Sequence, residues 1–142
     1  MAAPIAVITL LAAVLAAVAV GVVWLRGDGS MKRGSGERIR PAEVVLPDEA
    51  FGSRGTLLLF TSDHDIRTAE VRRTLEDATD GIDGVRIAPV DLTRHGDLAG
   101  RYAVTLTPTV FVLDADGLLR FRIKGSARRE DVRSALASVA AT

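Results

Sequence analysis

The sequence predicts an α/β domain, with a mixed central sheet and helices on both faces, preceded by one N-terminal transmembrane helix. Residues 1–25 contain no charged side chain, residues 26–40 are rich in glycine, serine and basic residues, and residues 41–142 alternate between strand and helix patterns. Such alternation is typical of a sheet covered on both faces. We therefore divide the chain into a transmembrane helix (1–25), a flexible basic linker (26–40) and a folded domain (41–142).

Residues 4–25 form an apolar stretch that is long enough to cross a bilayer. Its 22 residues would span about 33 Å as a helix, against a hydrocarbon core of about 30 Å. Its twelve Ile, Val and Leu residues favour insertion, because no charge opposes them. We therefore expect the protein to contact the lipid bilayer through residues 4–25.

A cleaved signal peptide is the alternative interpretation of this stretch. Signal peptides begin with a basic region and place a small-x-small cleavage site after a shorter apolar segment. Here the basic region is missing, and Ala17-Val18-Ala19 lies inside the apolar stretch. All five basic residues that flank the stretch follow it, within residues 26–40. The positive-inside rule then predicts a single-pass protein of the cell membrane whose C-terminal domain faces the cytoplasm.

Residues 55–60 predict the first strand of the domain, and their consecutive apolar residues LLLF indicate burial on both faces. The next segment predicts a helix, because its apolar residues share one face and Gly81 ends it. These apolar residues are Val71, Leu75 and Ala78. Residues 85–92 then predict a second strand, and residues 97–103 predict a short amphipathic helix.

The second half of the domain begins with a predicted central strand at residues 109–113, because TVFVL is β-branched and aromatic. A turn at residues 114–117 leads to a strand in which apolar and basic residues alternate, so one of its faces is predicted to be wet. The apolar residues of this strand are Leu119, Phe121 and Ile123. A last helix is predicted from Ser126 as N-cap. Its buried residues are predicted to be Val132, Leu136 and Val139.

The charges and residue types of the chain exclude several functions. Residues 41–142 carry 13 basic and 16 acidic side chains, so we expect no nucleic-acid partner. The chain contains no cysteine, and thiol–disulfide exchange requires a thiolate nucleophile. No glycine-rich phosphate-binding loop follows a predicted strand. We therefore expect no cofactor.

Two segments carry a family resemblance: residues 56–78, TLLLFTSDHDIRTAEVRRTLEDA, and residues 101–117, RYAVTLTPTVFVLDADG. Together with the order of elements, they resemble the thioredoxin family, in particular its small bacterial membrane-anchored members. The resemblance extends over residues 43–140. It implies a thioredoxin-like fold and a cis peptide bond between Thr107 and Pro108.

The chain departs from the family at the redox motif. The positions that match Cys-x-x-Cys hold Asp65, Ile66, Arg67 and Thr68, and the position of a buried acidic residue holds Leu59. The resemblance therefore implies a redox-inactive domain without catalytic residues. We predict a non-catalytic protein-binding or accessory module, not an enzyme. Asp65 is predicted to be the N-cap of the next helix, where its carboxylate supplies the negative charge that a thiolate supplies in redox proteins.

The resemblance also implies a peptide-binding groove formed by His64, Asp65, Thr107 and Pro108. In thioredoxin-like proteins the backbone before this proline pairs with an extended segment of the partner. We expect a protein or peptide partner at this groove. The alternative is that the proline only sets the geometry of the loop and the groove is vestigial.

The cluster Asp63, His64 and Asp65 has a metal or hydrolytic site as its alternative interpretation. Consecutive loop residues cannot all face one metal ion, and His95 lies on a different element. A nucleophile elbow of the form G-x-S-x-G is missing from the sequence. We therefore predict no metal site and interpret the cluster as a polar loop.

A second functional class remains open from the sequence. The domain would then be a component of a thiol-disulfide oxidoreductase pathway, serving cell redox homeostasis together with a cysteine-bearing partner or through Asp65 and His64. The absence of cysteine favours the binding module.

Overall fold

The computed structural model describes the backbone of residues 3–27 and 31–140 and the side chains of residues 4–20 and 31–139. Helix α1 extends over Ala3–Gly27, and the apolar side chains described in it, within residues 4–20, are exposed, with Ile5 at 66% and Leu10 at 68%. Among the described residues, no helix combines the length and the apolarity that crossing a membrane requires. The transmembrane helix over residues 4–25 is therefore not supported here and stays a prediction from sequence.

The domain is built on a mixed sheet of five strands in the order β1-β5-β4-β2-β3. The strands are β1 (Met31–Arg33), β2 (Gly55–Thr61), β3 (Val85–Asp91), β4 (Thr109–Asp114) and β5 (Leu119–Lys124). β2 and β3 pair in parallel, and every other pair is antiparallel. The predicted mixed sheet with β4 at its centre is confirmed.

Helices cover both faces of the sheet, as predicted. They are α2 (Thr68–Thr79), α3 (Gly96–Arg101) and α4 (Arg129–Ala140), and two short 3-10 helices occupy Pro41–Val44 and Asp48–Ala50. α2 and α4 cover one face with Leu57 and Leu59 of β2, and α3 covers the other with Leu58 and Phe60. We call these the α2–α4 core and the α3 core. β2 is thus buried on both faces, because its successive side chains enter opposite cores.

The predicted helix faces are confirmed, but one helix start is wrong. Val71, Leu75 and Ala78 of α2 are buried, as are Val132, Leu136 and Val139 of α4. Ser126 is not the N-cap of α4, because the helix begins at Arg129. The N–H of Val132 donates to the carbonyl of Arg128, which places the first helical hydrogen bond there.

The prediction of a flexible linker over residues 26–40 is corrected, because Met31–Arg33 forms strand β1 of the sheet. Met31–Arg33 pairs with β5, the N–H of Gly34 donates to the carbonyl of Arg120 at 2.7 Å, and Ile39 is only 1% exposed. Residues 31–40 therefore belong to the domain. The physical reason is that β5 would otherwise expose an unpaired edge, and β1 satisfies its main-chain groups.

The predicted alternation along β5 is interrupted by a bulge at Arg120. Leu113 pairs with Leu119 and Val112 pairs with Phe121, so Arg120 has no counterpart in β4. Leu119 therefore lies in the α3 core, whereas Phe121 packs against the α2–α4 core. A bulge adds one residue to one strand and shifts which face later side chains enter.

The face of β5 that was predicted to be exposed to solvent is half-buried at Arg122. Its guanidinium lies 4.5 Å from the ring centroid of Phe111 and donates to the carbonyl of Tyr102 at 2.8 Å. The stem of an arginine can cover apolar surface while its charged head is hydrogen-bonded, so a basic residue in a strand does not by itself indicate solvent.

Candidate functional site

The candidate site is formed by two loops at one end of the sheet. The first joins β2 to α2 and contains Asp65, Ile66 and Arg67, and Thr68 is the first residue of α2. The second leads into β4 and contains Thr107 and Pro108. Because β2 and β4 are antiparallel neighbours, the end of one lies beside the start of the other, and Phe60 pairs with Thr109. The topology thus places the loop that carries His64 and Asp65 beside the loop that carries Thr107 and Pro108.

Asp65 does not cap α2 in the predicted way. The helix begins at Thr68, and the N-cap position is held by Arg67, which makes no side-chain capping bond. Two successive turns precede the helix, because the N–H of Asp65 donates to the carbonyl of Ser62 and the N–H of Thr68 donates to that of Asp65. The Asp65 carboxylate instead accepts the N–H of Arg67 at 2.9 Å. Asp65 therefore stabilises the turn before the helix.

Arg67 connects the two loops. Its Nε lies 3.6 Å from Oδ1 of Asp65, and its Nη2 donates to the carbonyl of Thr107 at 3.2 Å. The side chains of Arg67 and Asp65 are 33% and 11% exposed. No role for Arg67 was predicted from the sequence. Two features could have predicted its role. Arg67 follows the carboxylate of Asp65 by two positions, and it lies where the loop before the neighbouring strand β4 meets the first loop.

The peptide bond between Thr107 and Pro108 is cis, as the family resemblance implied. Pro108 is buried and its carbonyl accepts the N–H of Gly125 at 2.9 Å. The loop is thereby fixed to the end of β5, and Thr107 is left half-buried beside Arg67.

Apolar side chains stand at the rim of the site, whereas the predicted His64 is an exposed residue of the first loop. Ile66 is 93% exposed and Leu106 is 37% exposed. Water in contact with such side chains is released when a partner covers them, which favours association. The rim therefore offers apolar contact area on both loops.

An open depression of about 600 Å³ lies on the outer side of the first loop, along α2. Its lining includes Thr61, Asp63, Ile66, Arg72, Arg73 and Glu76. Asp65 of the predicted groove also belongs to this lining, whereas Thr107 and Pro108 do not. The depression was not predicted from the sequence.

Thr68, which the family resemblance assigns to the second cysteine position, lies in a setting that suits an apolar group. Its Oγ1 is buried and has no hydrogen-bond partner among the described residues. A buried hydroxyl without a partner costs free energy, whereas a less polar atom of similar size does not. Behind this position, Leu59 is fully buried, where a redox member of the family would keep a carboxylate.

Metal coordination has no visible basis in the region that the structure describes. Across residues 3–27 and 31–140, no three His, Asp or Glu side chains converge as metal ligands would. Within the cluster of Asp63, His64 and Asp65, the two aspartates instead hydrogen-bond to different partners. The Asp63 N–H donates to Oγ1 of Thr93 at 3.0 Å, and Asp65 turns toward Arg67.

Comparison with protein families gives one match to the domain. A family model described as a thioredoxin-like domain matches residues 49–140. None of the curated proteins that were compared matches the sequence.

Solved structures with the same arrangement of strands and helices include several thioredoxin-like proteins. An uncharacterized thioredoxin-like protein from Clostridium perfringens is 23% identical, with a TM-score of 0.58 over 71% of this chain and 79% of its own. Chloroplastic thioredoxin z is 18% identical, with a TM-score of 0.57 over 75% and 95%. Fasciola hepatica thioredoxin is 21% identical, with a TM-score of 0.53 over 65% and 86%. At these identities the likeness concerns the fold.

Proposed function

Because the chain belongs to the thioredoxin-like family, we propose that it is a non-catalytic member that binds another protein through the two loops of its candidate site. One observation carries this proposal. The chain keeps the pair of loops that meet at Thr107 and Pro108, but it contains no cysteine. A thioredoxin-like surface without a sulfur nucleophile can hold a partner but cannot exchange a disulfide with it.

The residues at the two positions that the family resemblance assigns to cysteine support a non-catalytic role. Asp65 is engaged by Arg67 and hydrogen-bonds within its own turn, so its carboxylate is used structurally. Thr68 presents a buried hydroxyl without a hydrogen-bonded base to activate it. Activation of a hydroxyl nucleophile needs such a base within hydrogen-bond reach.

The rim of the site supports binding of a protein or peptide. Ile66 and Leu106 expose apolar area on the two loops. The main chain at Thr107 follows Leu106 and precedes a buried proline, and an extended segment of a partner can pair with main-chain groups of this kind. Specific binding would combine this pairing with coverage of the two apolar side chains.

A photo-crosslinking experiment tests the binding proposal. A photoreactive amino acid replaces Ile66 in the full chain, expressed in bacterial cells, and Asp80 at the far end of α2 serves as the matched control position. We expect a discrete adduct from position 66 that is weakened by Leu106→Asp and missing from position 80. Equal labelling from both positions, or no adduct, would refute a partner at this site.

We further propose that residues 4–25 attach the protein to the cell membrane as a single-pass anchor, with the domain in the cytoplasm. The apolar, uncharged sequence of this stretch and the exposure of the α1 side chains support attachment, since an apolar helix with no protein partner favours lipid over water. The basic residues that follow residue 25 support the orientation.

Extraction and protease protection test the anchor separately from the binding site. We expect the full chain to stay in the membrane pellet at alkaline pH and the domain to be digested only when the cytoplasmic side is open. Release by alkaline extraction, or digestion from the outer side, would contradict the anchor or its orientation.

A further inference from the structure

Arg67 occupies a main-chain acceptor that a bound segment would need. Its Nη2 donates to the carbonyl of Thr107 at 3.2 Å, and this contact joins residues 40 positions apart in the sequence. A segment that adds to the loop as a strand would offer its own N–H to that carbonyl. In the free protein, therefore, the Arg67 guanidinium donates to the acceptor that the ligand N–H would use.

The position of Arg67 is held from the opposite side by Asp65. The Asp65 carboxylate accepts the Arg67 N–H at 2.9 Å and lies 3.6 Å from the Arg67 Nε. Asp65 is 11% exposed, whereas Arg67 is 33% exposed, so a ligand approaching from solvent reaches the guanidinium more readily than the carboxylate. The contact that a ligand would exchange is the one between Arg67 and Thr107.

A carboxylate is the ligand group that would make this exchange favourable. The carbonyl of Thr107 is a neutral acceptor, and an ionised acceptor makes a shorter and stronger hydrogen bond with a guanidinium. A guanidinium also matches a carboxylate in fork geometry, which a single carbonyl cannot provide. A ligand carboxylate would thus hold Arg67 and open the Thr107 carbonyl to the ligand main chain at the same time.

The charges around the site make recognition depend on the position of the ligand carboxylate. Three acidic and three basic side chains lie on the first loop or line the depression along α2: Asp63, Asp65, Glu76, Arg67, Arg72 and Arg73. Their charges cancel, so a general negative charge on the ligand gains little attraction at a distance. Affinity would depend on where the ligand carboxylate stands and not on the total charge of the ligand.

We propose that the partner segment is an extended peptide whose Asp or Glu side chain draws Arg67 away from the Thr107 carbonyl, with an apolar side chain of the same segment covering Ile66. This inference rests on the proposed binding function. It adds the chemical class of the ligand and makes Arg67 a positioning residue that keeps the groove closed until an acidic segment arrives.

Selection from a random 12-residue peptide library, displayed against the purified full chain in nanodiscs, tests the inference. We expect peptides selected by the natural chain, and by the matched control Arg72→Gln, to carry Asp or Glu at one constant position. Peptides selected by Arg67→Gln should lose this preference. A purely structural role of Arg67 would lower binding of all peptides and leave their composition unchanged.

A second measurement on the natural chain keeps the test valid if Arg67→Gln fails to fold. The most strongly selected peptide is synthesised with its conserved Glu or Asp and with the matching amide. We expect about a tenfold loss of affinity for the amide, the size of one charge-assisted hydrogen bond, and a smaller loss for an acid moved by one position.

The outcomes separate this inference from the proposed function. Peptides that depend on Ile66 and Leu106 but show no acidic position would overturn the role of Arg67 and leave the binding module standing. The absence of any peptide that depends on Ile66 or Leu106 would overturn both.

Discussion

Asp65 stands at the position that the family resemblance assigns to the first cysteine, and it acts through its side-chain oxygens. One oxygen accepts the N–H of Arg67 and is the nearest carboxylate atom to the Arg67 guanidinium. The residue thus replaces a reactive group with a structural one. The replacement maintains the turn from which α2 starts, although it does not sit at the N-cap.

We expect Asp65→Ala to lower the free energy of unfolding by about 1 kcal/mol, the usual value of a lost side-chain hydrogen bond in a partly exposed turn. Chemical denaturation of the full chain measures the change. Asp63→Ala is the matched control, because Asp63 is exposed and its hydrogen bond to Thr93 uses its main-chain N–H. Equal stability of the Asp65 variant and the natural chain would rule out a structural role for the carboxylate.

Asp114 is a buried carboxylate that organises the turn between β4 and β5. Its side chain is 6% exposed, and it accepts hydrogen bonds from the N–H groups of Leu118 and Asp116 and from Nε of Arg120 at 2.7 Å. Burial by itself raises the pKa of Asp114, but these three hydrogen bonds outweigh burial and the pKa is lowered. The ionised form therefore stabilises the folded chain.

This pKa shift predicts a pH dependence of stability. A carboxyl whose pKa is lower in the folded chain contributes stability above the unfolded pKa of about 3.9, and the contribution disappears as the pH falls through the folded pKa. We expect Asp114→Asn to be less stable than the natural chain at pH 7, by about 2 kcal/mol, with a smaller difference at pH 3. Denaturation at both pH values measures this.

The matched control for Asp114 is Asp116→Asn, because Asp116 is exposed and contributes only its main-chain N–H to the turn. We expect the control to stay close to the natural chain at both pH values. A constant difference between Asp114→Asn and the natural chain from pH 7 to pH 3 would show that the charge of Asp114 has no part in stability.

At the scale of elements, β1 is held at the sheet edge by a close approach at Gly34. A Cβ atom at Gly34 would lie 2.5 Å from the carbonyl oxygen and 2.7 Å from Cγ of Leu119. Such distances are too short for any side chain, so β1 and β5 can stay together only with glycine at this position.

We expect Gly34→Ala to loosen β1 and to lower the free energy of unfolding by about 1 to 3 kcal/mol, as overpacking does. Hydrogen exchange of the β5 amides, followed by mass spectrometry, should rise locally. Gly96→Ala is the matched control, since a Cβ there meets nothing within 4 Å. If the two variants exchange alike, the close approach at Gly34 is not what holds β1.

At the scale of the whole molecule, a thioredoxin-like scaffold is present in a chain that contains no cysteine. The loop before α2 and the Thr107-Pro108 loop meet as the topology requires, and Thr68 occupies a site that does not satisfy its hydroxyl. The missing thiols are therefore the first barrier to dithiol chemistry, and the apolar Leu59 behind them is the second.

We expect the natural chain to give no acceleration of insulin reduction over dithiothreitol alone and Asp65→Cys/Thr68→Cys to give a measurable catalysed rate. That rate should stay low, because Leu59 provides no buried carboxylate for proton transfer. Asp65→Cys alone is the control, since it lacks the second thiol. Turnover by the natural chain would overturn the non-catalytic proposal, and no disulfide in the double variant would show that the two positions are held too far apart.

Local pattern in the sequence was enough to predict most elements of the domain. The consecutive apolar residues of β2 predict burial on both faces, and the spacing of Val71, Leu75 and Ala78 predicts the buried face of α2. These predictions succeed because strand and helix periodicity depends on near neighbours in the chain. The absence of cysteine, and with it of dithiol chemistry, is likewise determined by the sequence alone.

Only the tertiary structure decided three features: the docking of β1, the bulge at Arg120, and the contact between Arg67 and the Thr107 carbonyl. The first and the third are contacts between segments that are far apart in sequence, and the bulge depends on how two neighbouring strands pair, so no local period encodes them. β1 in particular reads as a polar linker, since Lys32 and Arg33 are exposed and the strand is held through main-chain hydrogen bonds. Main-chain hydrogen bonds do not specify residue type, so the pairing of β1 is visible only in the tertiary structure.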